Sequence, residues 1–517
     1  MEHRGGTGSE ETGRGIRQVG HWIGGRLEDT GRRTGPVFDP SAGEVIAEVR
    51  FGDAEVVHRA VQVAERAQRA WAETSLAQRA AVLFAFRERL RARTQELARV
   101  VSREHGKTVA DAEGEVARGL EVVELACGVP HLAKGEFSEQ VSRGVDTYSV
   151  RQPLGVVAGI TPFNFPAMVP LWMCPVAVAL GNAFVLKPSE KDPSASLVLA
   201  ECWEEAGLPP GVFQVVQGDG EVVEAILAHP GVAAVSFVGS TPVARRVYEA
   251  AAAAGKRVQA LGGAKNHMVV CPDADLDEAA AAAVSAGFGS AGERCMAVSV
   301  VVALEPVGDA LVERIAKRMA EVRVGPGDRP GVEMGPLVTR EHRDRVAGYL
   351  DKAAEEGARV VVDGRRHPVE GPPRGFWLGP SLVDEVRPGM AVYDDEIFGP
   401  VLAVVRVADL DDALELLRAN PYGNGAAIFT RSGALARRFA REAPCGMVGV
   451  NVPIPVPVGT FPFGGWKQSL FGDTHVYGRD AVHFYSRGKV VTSRWVVAGS
   501  SEVRMAFPAA SGDRSSE

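Results

Sequence analysis

No Cys-x-x-Cys pair occurs in the 517 residues, and the six cysteines are scattered. That scatter offers neither a zinc site nor a disulfide framework, so the expectation is a reducing, cytoplasmic setting without metal. An unbroken apolar span is missing as well. From Gln152 to Leu186 there is no charged residue, yet Pro153, Pro162, Pro166, Pro170 and Pro175 interrupt the run and Asn164 sits within it. It reads as buried strands and loop rather than a membrane helix. The opening MEHRGGTGSEETGRGIRQ has no apolar core and is not a signal peptide. Basic excess is absent too: 57 Lys and Arg stand against 65 Asp and Glu, a net charge of -8, which disfavours nucleic acid and acidic membranes as partners. What is present, 46% hydrophobic residues over this length, fills more than one core and points to two or three globular domains.

Between Gly-, Ser- and charge-rich ends, helical periods alternate with short apolar runs. DAEVVHRAVQVAERAQRAWA and LAQRAAVLFAFRERLRARTQELARVVSREHG read as helices; LGVVAGI, NAFVLKP, VFQVV, AAVSFVG and HMVVC read as strands. That alternation is the pattern of an α/β protein with a doubly wound parallel sheet, and a second α/β block follows from SVVVALEP to GAAIFT.

Three local features carry chemistry. In SAGERCMAVS, Cys295 follows Arg294, whose charge would favour thiolate, and Gly292, which lets backbone approach a ligand. A packed cysteine beside a surface arginine fits the same residues. After AVSFVG, Gly239 allows a tight exit from the strand, Ser240 or Thr241 can cap the next helix and Pro242 suits its first turn. A phosphate can dock at such a helix start, although the motif is GSTPVA rather than GxGxxG and an ordinary capped helix would look alike. In LKPSE, Lys187 and Glu190 leave a strand end together, placed either to hold adenosine-ribose hydroxyls or simply as a solvated pair.

In their order along the chain, TPFNFP, KPSE, SFVGST, GAKN, GERCM, EIFGPV and NPYGNG resemble the aldehyde dehydrogenase superfamily from about Gly20 to Trp495. TPFNFPAMVPLWM, GAKNHMVV, GERCMA and GVNVPIPVPVGTFPFGGWKQSLFGDTHVYG are similar to its CoA-acylating, methylmalonate-semialdehyde branch. The resemblance implies a Rossmann-type NAD-binding domain (20–131 and 153–256), an α/β catalytic domain (257–476), a β oligomerisation arm (132–152 and 477–497) and flexible tails (1–19 and 498–517). It also implies a homodimer or homotetramer. Cys295 would be the nucleophile, forming a thiohemiacetal and then a thioester, and Asn164 an oxyanion donor. Phe163, Lys187, Glu190, Gly239, Ser240, Glu396 and Phe398 would hold NAD. Arg118, on the amphipathic stretch DAEGEVARGLEVVELACG, and Arg294 would bind the carboxylate of a small semialdehyde.

Two positions depart from the superfamily pattern. Where hydrolytic members carry a water-activating glutamate, this chain has Leu261, which cannot accept a proton, so a thiol cosubstrate, coenzyme A, becomes the better acyl acceptor. Ala244 stands where many relatives have a second glycine after the phosphate turn. The expected reaction is NAD-dependent, CoA-acylating oxidative decarboxylation of malonate and methylmalonate semialdehydes. The alternatives are a hydrolytic semialdehyde dehydrogenase and a catalytically silent scaffold.

Overall fold

Two twisted sheets organise the chain in a computed structural model that describes residues 16–495. The first has eight strands. Its centre is five parallel strands in the spatial order Arg257–Leu261, Val232–Val238, Val156–Ile160, Ala183–Lys187 and Phe213–Val215. Short antiparallel strands, Leu470–Phe471 on one side and His21–Ile23 with Arg26–Glu28 on the other, close the edges. Order reverses at Val156–Ile160, so a crevice opens beyond the carboxyl ends of that strand and its neighbour Val232–Val238. The central strands are apolar on both faces because helices cover both, giving two separate clusters of buried side chains around one sheet.

The second sheet has seven strands around its own core, with Asn266–Val270 and Val298–Leu304 at the centre. Arg257–Leu261, expected to open this second unit, instead pairs along its whole length with Ala234–Val238 of the first. The chain crosses between sheets at 262–265 and returns at Leu470–Phe471.

Local sequence accounts for most elements and explains two that differ from expectation. Asp53 caps the helix Ala54–Glu73, accepting from the N–H groups of Glu55 and Val56. Ser75 and Gln78 form a capping box for Leu76–Ala92. The single long helix expected after Leu76 is two, because the chain bends at Arg93 (φ -100°, ψ 11°) before Thr94–His105. Arg93 is held at that bend by Glu96, Glu201 and Glu205. The second difference is the helix Met168–Ala179, where loop and strand were expected. Pro170 falls in its first turn, where no amide hydrogen is needed, and Pro175 sacrifices one bond inside a helix whose every residue is buried.

Arg17–Val19, expected within a flexible tail, pairs in parallel with Ala47–Val49. Residues 1–15 and 496–517 of the expected tails lie outside the described residues. Ser486–Arg494 runs antiparallel to Val145–Pro153 over nine paired residues, and Phe137–Ser142 completes a separate three-stranded sheet. Among the described residues no helix is long and apolar enough to cross a membrane.

A buried ion pair ties these layers together. Lys107 Nζ donates to Glu115 Oε2 at 2.8 Å and to the Asn164 carbonyl at 2.6 Å, and it lies 4.3 Å from the Phe165 ring centre. Glu115 Oε1 accepts the N–H groups of Ala167 (2.8 Å) and Met168 (3.0 Å), at the start of the buried helix. Both side chains are fully shielded from solvent. Gly106, next along the chain, packs so tightly on Gly335 that a Cβ there would strike its carbonyl, which docks the second unit against the same point. Removing one partner strands the other charge, so Lys107→Met or Glu115→Leu should each cost about 3–5 kcal/mol, while the double replacement should cost less than the sum. Thermal unfolding of the four proteins, read as a double-mutant cycle, measures this; additive losses would refute it.

Candidate active site

The strand register brings distant residues to one edge. Lys187 lies beside Ile160, Ile160 beside Phe237, and Val238 beside Leu261. The segments that follow these strands therefore emerge together: Phe163 and Asn164, Glu190, Gly239 and Ser240, and the residues after Leu261. In the second sheet the corresponding edge is the amino one. Cys295 precedes Val298–Leu304, Asn266 opens Asn266–Val270, and Glu396 and Phe398 precede Val401–Val407. The two edges meet where the rings of Phe163 and Phe398 pack edge to face with centroids 5.8 Å apart.

Cys295 alone among the six cysteines is not buried. Two amides hold its backbone: Asn266 Nδ2 donates to its carbonyl at 2.9 Å and Asn424 Nδ2 at 3.1 Å. Its residue lines a recess with Asn266, Gly292, Arg294, Glu396 and Phe398. Burial, and next the charge of Glu396, push the Cys295 thiol up to about 12. The expected thiolate-favouring effect of Arg294 is present but smaller than both. That guanidinium is already engaged, its Nη2 donating to Asp111 Oδ1 at 2.6 Å. Desolvation thus outweighs the arginine, whose pull has the direction that its place in the sequence suggested.

Glu396 rests over Gly263, where a Cβ would collide with its carboxyl, and its Oε1 accepts the Ala264 N–H at 2.8 Å. Burial pushes this carboxyl up to about 7, against the opposing pull of that N–H and of Lys265. Leu261 is buried and belongs to the same apolar cluster against which Cys295 packs. Asn164 is buried, and its side chain makes no hydrogen bond among the described residues, whereas its carbonyl is held by Lys107.

The other edge residues have the chemistry of a dinucleotide groove. Lys187 Nζ lies 3.2 Å from Glu190 Oε2, with the carboxylate the more exposed partner. Ser240 occupies the N-cap of Thr241–Ala253 without bonding to it, and Thr241 Oγ1 instead accepts the Gly263 N–H at 2.8 Å. The helix start thus carries backbone N–H groups and no capping side chain, the arrangement that accepts a phosphate. Among the described residues no cluster of three or more His, Cys, Asp and Glu side chains is arranged to hold a metal.

Arg118 stands one helical turn from the buried Glu115, on Val109–Cys127. Its Nη1 reaches Glu121 at 2.8 Å and its Nη2 the Val456 carbonyl at 3.2 Å. Sequence reasoning missed Lys107, Glu115, Glu293, Asn266 and Asn424. Charges in the otherwise small-residue stretches HGKTVA and GSAGERC, a lone lysine in one and a glutamate beside Arg294 in the other, were the available signals for the first and third.

A family model for the aldehyde dehydrogenase family matches residues 27–491. Malonate-semialdehyde dehydrogenase of Pseudomonas aeruginosa is 51% identical over 490 residues, covering 94% of this chain and 99% of that protein. Malonate-semialdehyde dehydrogenase 2 of Geobacillus thermodenitrificans is 49% identical over 92% of this chain and 98% of its own. Methylmalonate-semialdehyde dehydrogenase of Oceanimonas doudoroffii superposes with a TM-score of 0.92 at 51% identity, over 94% and 99% of the two chains. A Sinorhizobium meliloti protein, assigned provisionally to methylmalonate-semialdehyde dehydrogenase and solved with NAD, gives 0.92 at 50% identity with the same coverage. With a thiol, two backbone-holding amides and a dinucleotide-type groove at the meeting of two sheets, and with these matches over nearly its full length, the chain belongs to the aldehyde dehydrogenase family.

Proposed function

We propose that this protein oxidises malonate and methylmalonate semialdehydes with NAD and passes the acyl group to coenzyme A with loss of CO2. The observation that carries the acylating part is Leu261, an apolar side chain in the cluster under Cys295 where hydrolysis would need a base. The names of the similar proteins from Pseudomonas aeruginosa and Oceanimonas doudoroffii support the substrate class, and the Sinorhizobium meliloti complex supports NAD.

Cys295 Sγ, once deprotonated, adds to the aldehyde carbon, and the oxyanion so formed takes hydrogen bonds from the Asn164 side-chain amide and the Cys295 backbone N–H. NAD, when bound, accepts the hydride from that carbon and leaves a thioester on Cys295. Lys187 and Glu190 suit the adenosine ribose, the carboxylate disfavouring a 2′-phosphate, while the N–H groups after Gly239 and Ser240 suit the diphosphate. Phe163 and Phe398 wall the groove, and Glu396 leaves Ala264 to take the nicotinamide ribose. In the thioester the substrate carboxylate lies beta to a carbonyl, so the electrons released with CO2 enter an enolate that the same two donors stabilise. Protonation of that enolate and attack by the CoA thiol give acetyl-CoA or propionyl-CoA and free Cys295.

Glu396 favours one competing reading. Its carboxyl, held near 7 and acting on Cys295, has the acidity of a base for water, which would give a free acid. Rapid mixing separates the two. Without CoA, one equivalent of NADH per site should form in a burst and then nearly stop, Cys295→Ala should give none, and CoA should restore turnover. Steady acid release without CoA, lost in Glu396→Gln, would establish the hydrolytic reading.

Arg118 and Arg294 are assigned to the substrate carboxylate, with unequal consequences. Arg118→Ala should cost about 2–4 kcal/mol in kcat/KM for malonate semialdehyde and much less for propanal. Arg294→Ala also removes the partner of Asp111, so both aldehydes should suffer. Equal losses for Arg118→Ala on the two substrates would remove it from the carboxylate site.

The separate three-stranded sheet is proposed as the oligomerisation arm. Both its edges are open, and Phe137, Val141, Val490 and Trp495 are all at least half exposed. Sedimentation should give a dimer or tetramer of the 54.8 kDa chain, and Val490→Lys with Phe137→Ser should shift it toward monomer. A monomeric unaltered protein at micromolar concentration would count against the arm.

A further inference from the structure

Glu293 lies two residues before Cys295 and is completely buried, yet the chemistry above does not use it. One backbone donor and two imidazoles, from elements far apart in sequence, converge on its carboxyl. Val338 N–H reaches Oε1 at 3.3 Å. His342 Nε2 is also 3.3 Å from Oε1. His105 Nε2 faces Oε2 across 3.8 Å, too far for a hydrogen bond, and among the described residues neither atom has a hydrogen-bond partner.

A guanidinium and a backbone amide settle where the imidazole hydrogens sit. Arg345 donates to His342 Nδ1 at 3.1 Å, and the Lys107 N–H to His105 Nδ1 at 3.3 Å, so both rings carry hydrogen on Nε2. Burial holds both imidazoles neutral, His342 down to about 4 and His105 well below its usual range. Both rings therefore set Nε2 beside the Glu293 carboxyl. His342 gives its hydrogen to the Phe398 carbonyl at 2.7 Å, so its approach to Glu293 is a packing contact. The His342 ring thus stands between the carboxyl and the Phe398 loop.

The two loops are also pressed together directly. A Cβ on Gly292 would strike the Gly399 carbonyl, and Gly292 has φ of +73°. Ser290, Ala291 and Phe398 all adopt positive φ, conformations that persist only where the surroundings enforce them. Phe163 completes the contact, its ring 5.8 Å from Phe398, 5.9 Å from His105 and 6.4 Å from His342.

We propose that Glu293 is a positioning residue: through Val338 and His342 it holds the turn bearing Cys295 in register with the Phe398 loop, and so sets the approach of the thiohemiacetal carbon to the hydride acceptor. The inference rests on the function proposed above. It assigns Glu293 no proton transfer and no contact with substrate. Its first consequence is for the hydride step, because Glu293 contacts neither the Lys187–Glu190 pair nor Arg118.

The test is the pre-steady-state burst of NADH from malonate semialdehyde, with hydrogen or deuterium on the aldehyde carbon, in Glu293→Ala, Glu293→Gln, His342→Ala and the Glu293→Ala/His342→Ala double variant. Misplacement of this order should slow the burst by about 10- to 100-fold in Glu293→Ala. Burst amplitude at saturating NAD should be unchanged, any loss of NAD affinity should be smaller than the loss of rate, and a primary isotope effect on the burst should be fully expressed. Glu293→Gln keeps an acceptor oxygen and should recover most of the rate. The double variant should be little slower than the slower single variant, since both act through one link. Should Glu293→Ala not fold, His342→Ala carries the same expectation. An unchanged burst rate, or a smaller amplitude at an unchanged rate, would overturn the positioning role. Absence of any burst in the unaltered enzyme would instead overturn the thioester chemistry, so the two failures are distinguishable.

Discussion

The contact between Lys107 and Glu115 is the constraint on which the site's geometry depends. Two opposite charges without solvent are costly to bury, and here three of their four hydrogen bonds go to backbone. Lys107 holds the Asn164 carbonyl while Glu115 holds the N–H groups three and four residues later, so the loop is gripped on both sides of Phe165. Arg118 is on the same helix as Glu115, and His105 is two residues before Lys107. One ion pair thereby references the proposed oxyanion donor, a proposed substrate arginine and an imidazole beneath the Cys295 turn to a common origin.

Much of this could be read in the sequence, and what could not has a physical reason. Short apolar runs such as AVSFVG revealed strands because a strand buried on both faces has little freedom in composition. The helix Met168–Ala179 was concealed by its prolines, whose local cost is overridden by complete burial. The bend at Arg93 has neither glycine nor proline to announce it; it is held by carboxylates, two of them from a distant helix. Nor could RVQALGGAKN disclose that its first half pairs with one sheet and its second half with another. Cys295 stood out through Gly292 and Arg294, but its protonation did not, since local sequence reports neighbouring charge and is silent about desolvation. Glu293 escaped notice because its partners, His105, Val338 and His342, are brought to it only by the fold.

Building the site from the carboxyl edge of one sheet and the amino edge of the other separates its duties. The groove lies with the first sheet and the thiol with the second, so each is built on its own core. The two meet at the seam. There Phe163, Phe398, Gly292 and Gly399 touch across units, and positive φ values gather where the backbone has least room.

The protonated resting state of Cys295 bears on chemical survival. Oxidants and electrophiles react with sulfur chiefly as thiolate, and the first step toward sulfenic acid requires that form. A thiol pushed up to about 12 by burial and by Glu396 presents almost none of it at neutral pH. Such scarcity should shield the sulfur from peroxide and alkylating agents, although Cys295 is the one cysteine residue of the six that is not buried. Any movement of Glu396 away from the recess removes part of that shield, so vulnerability to oxidation should follow occupancy of the groove and not the age of the protein.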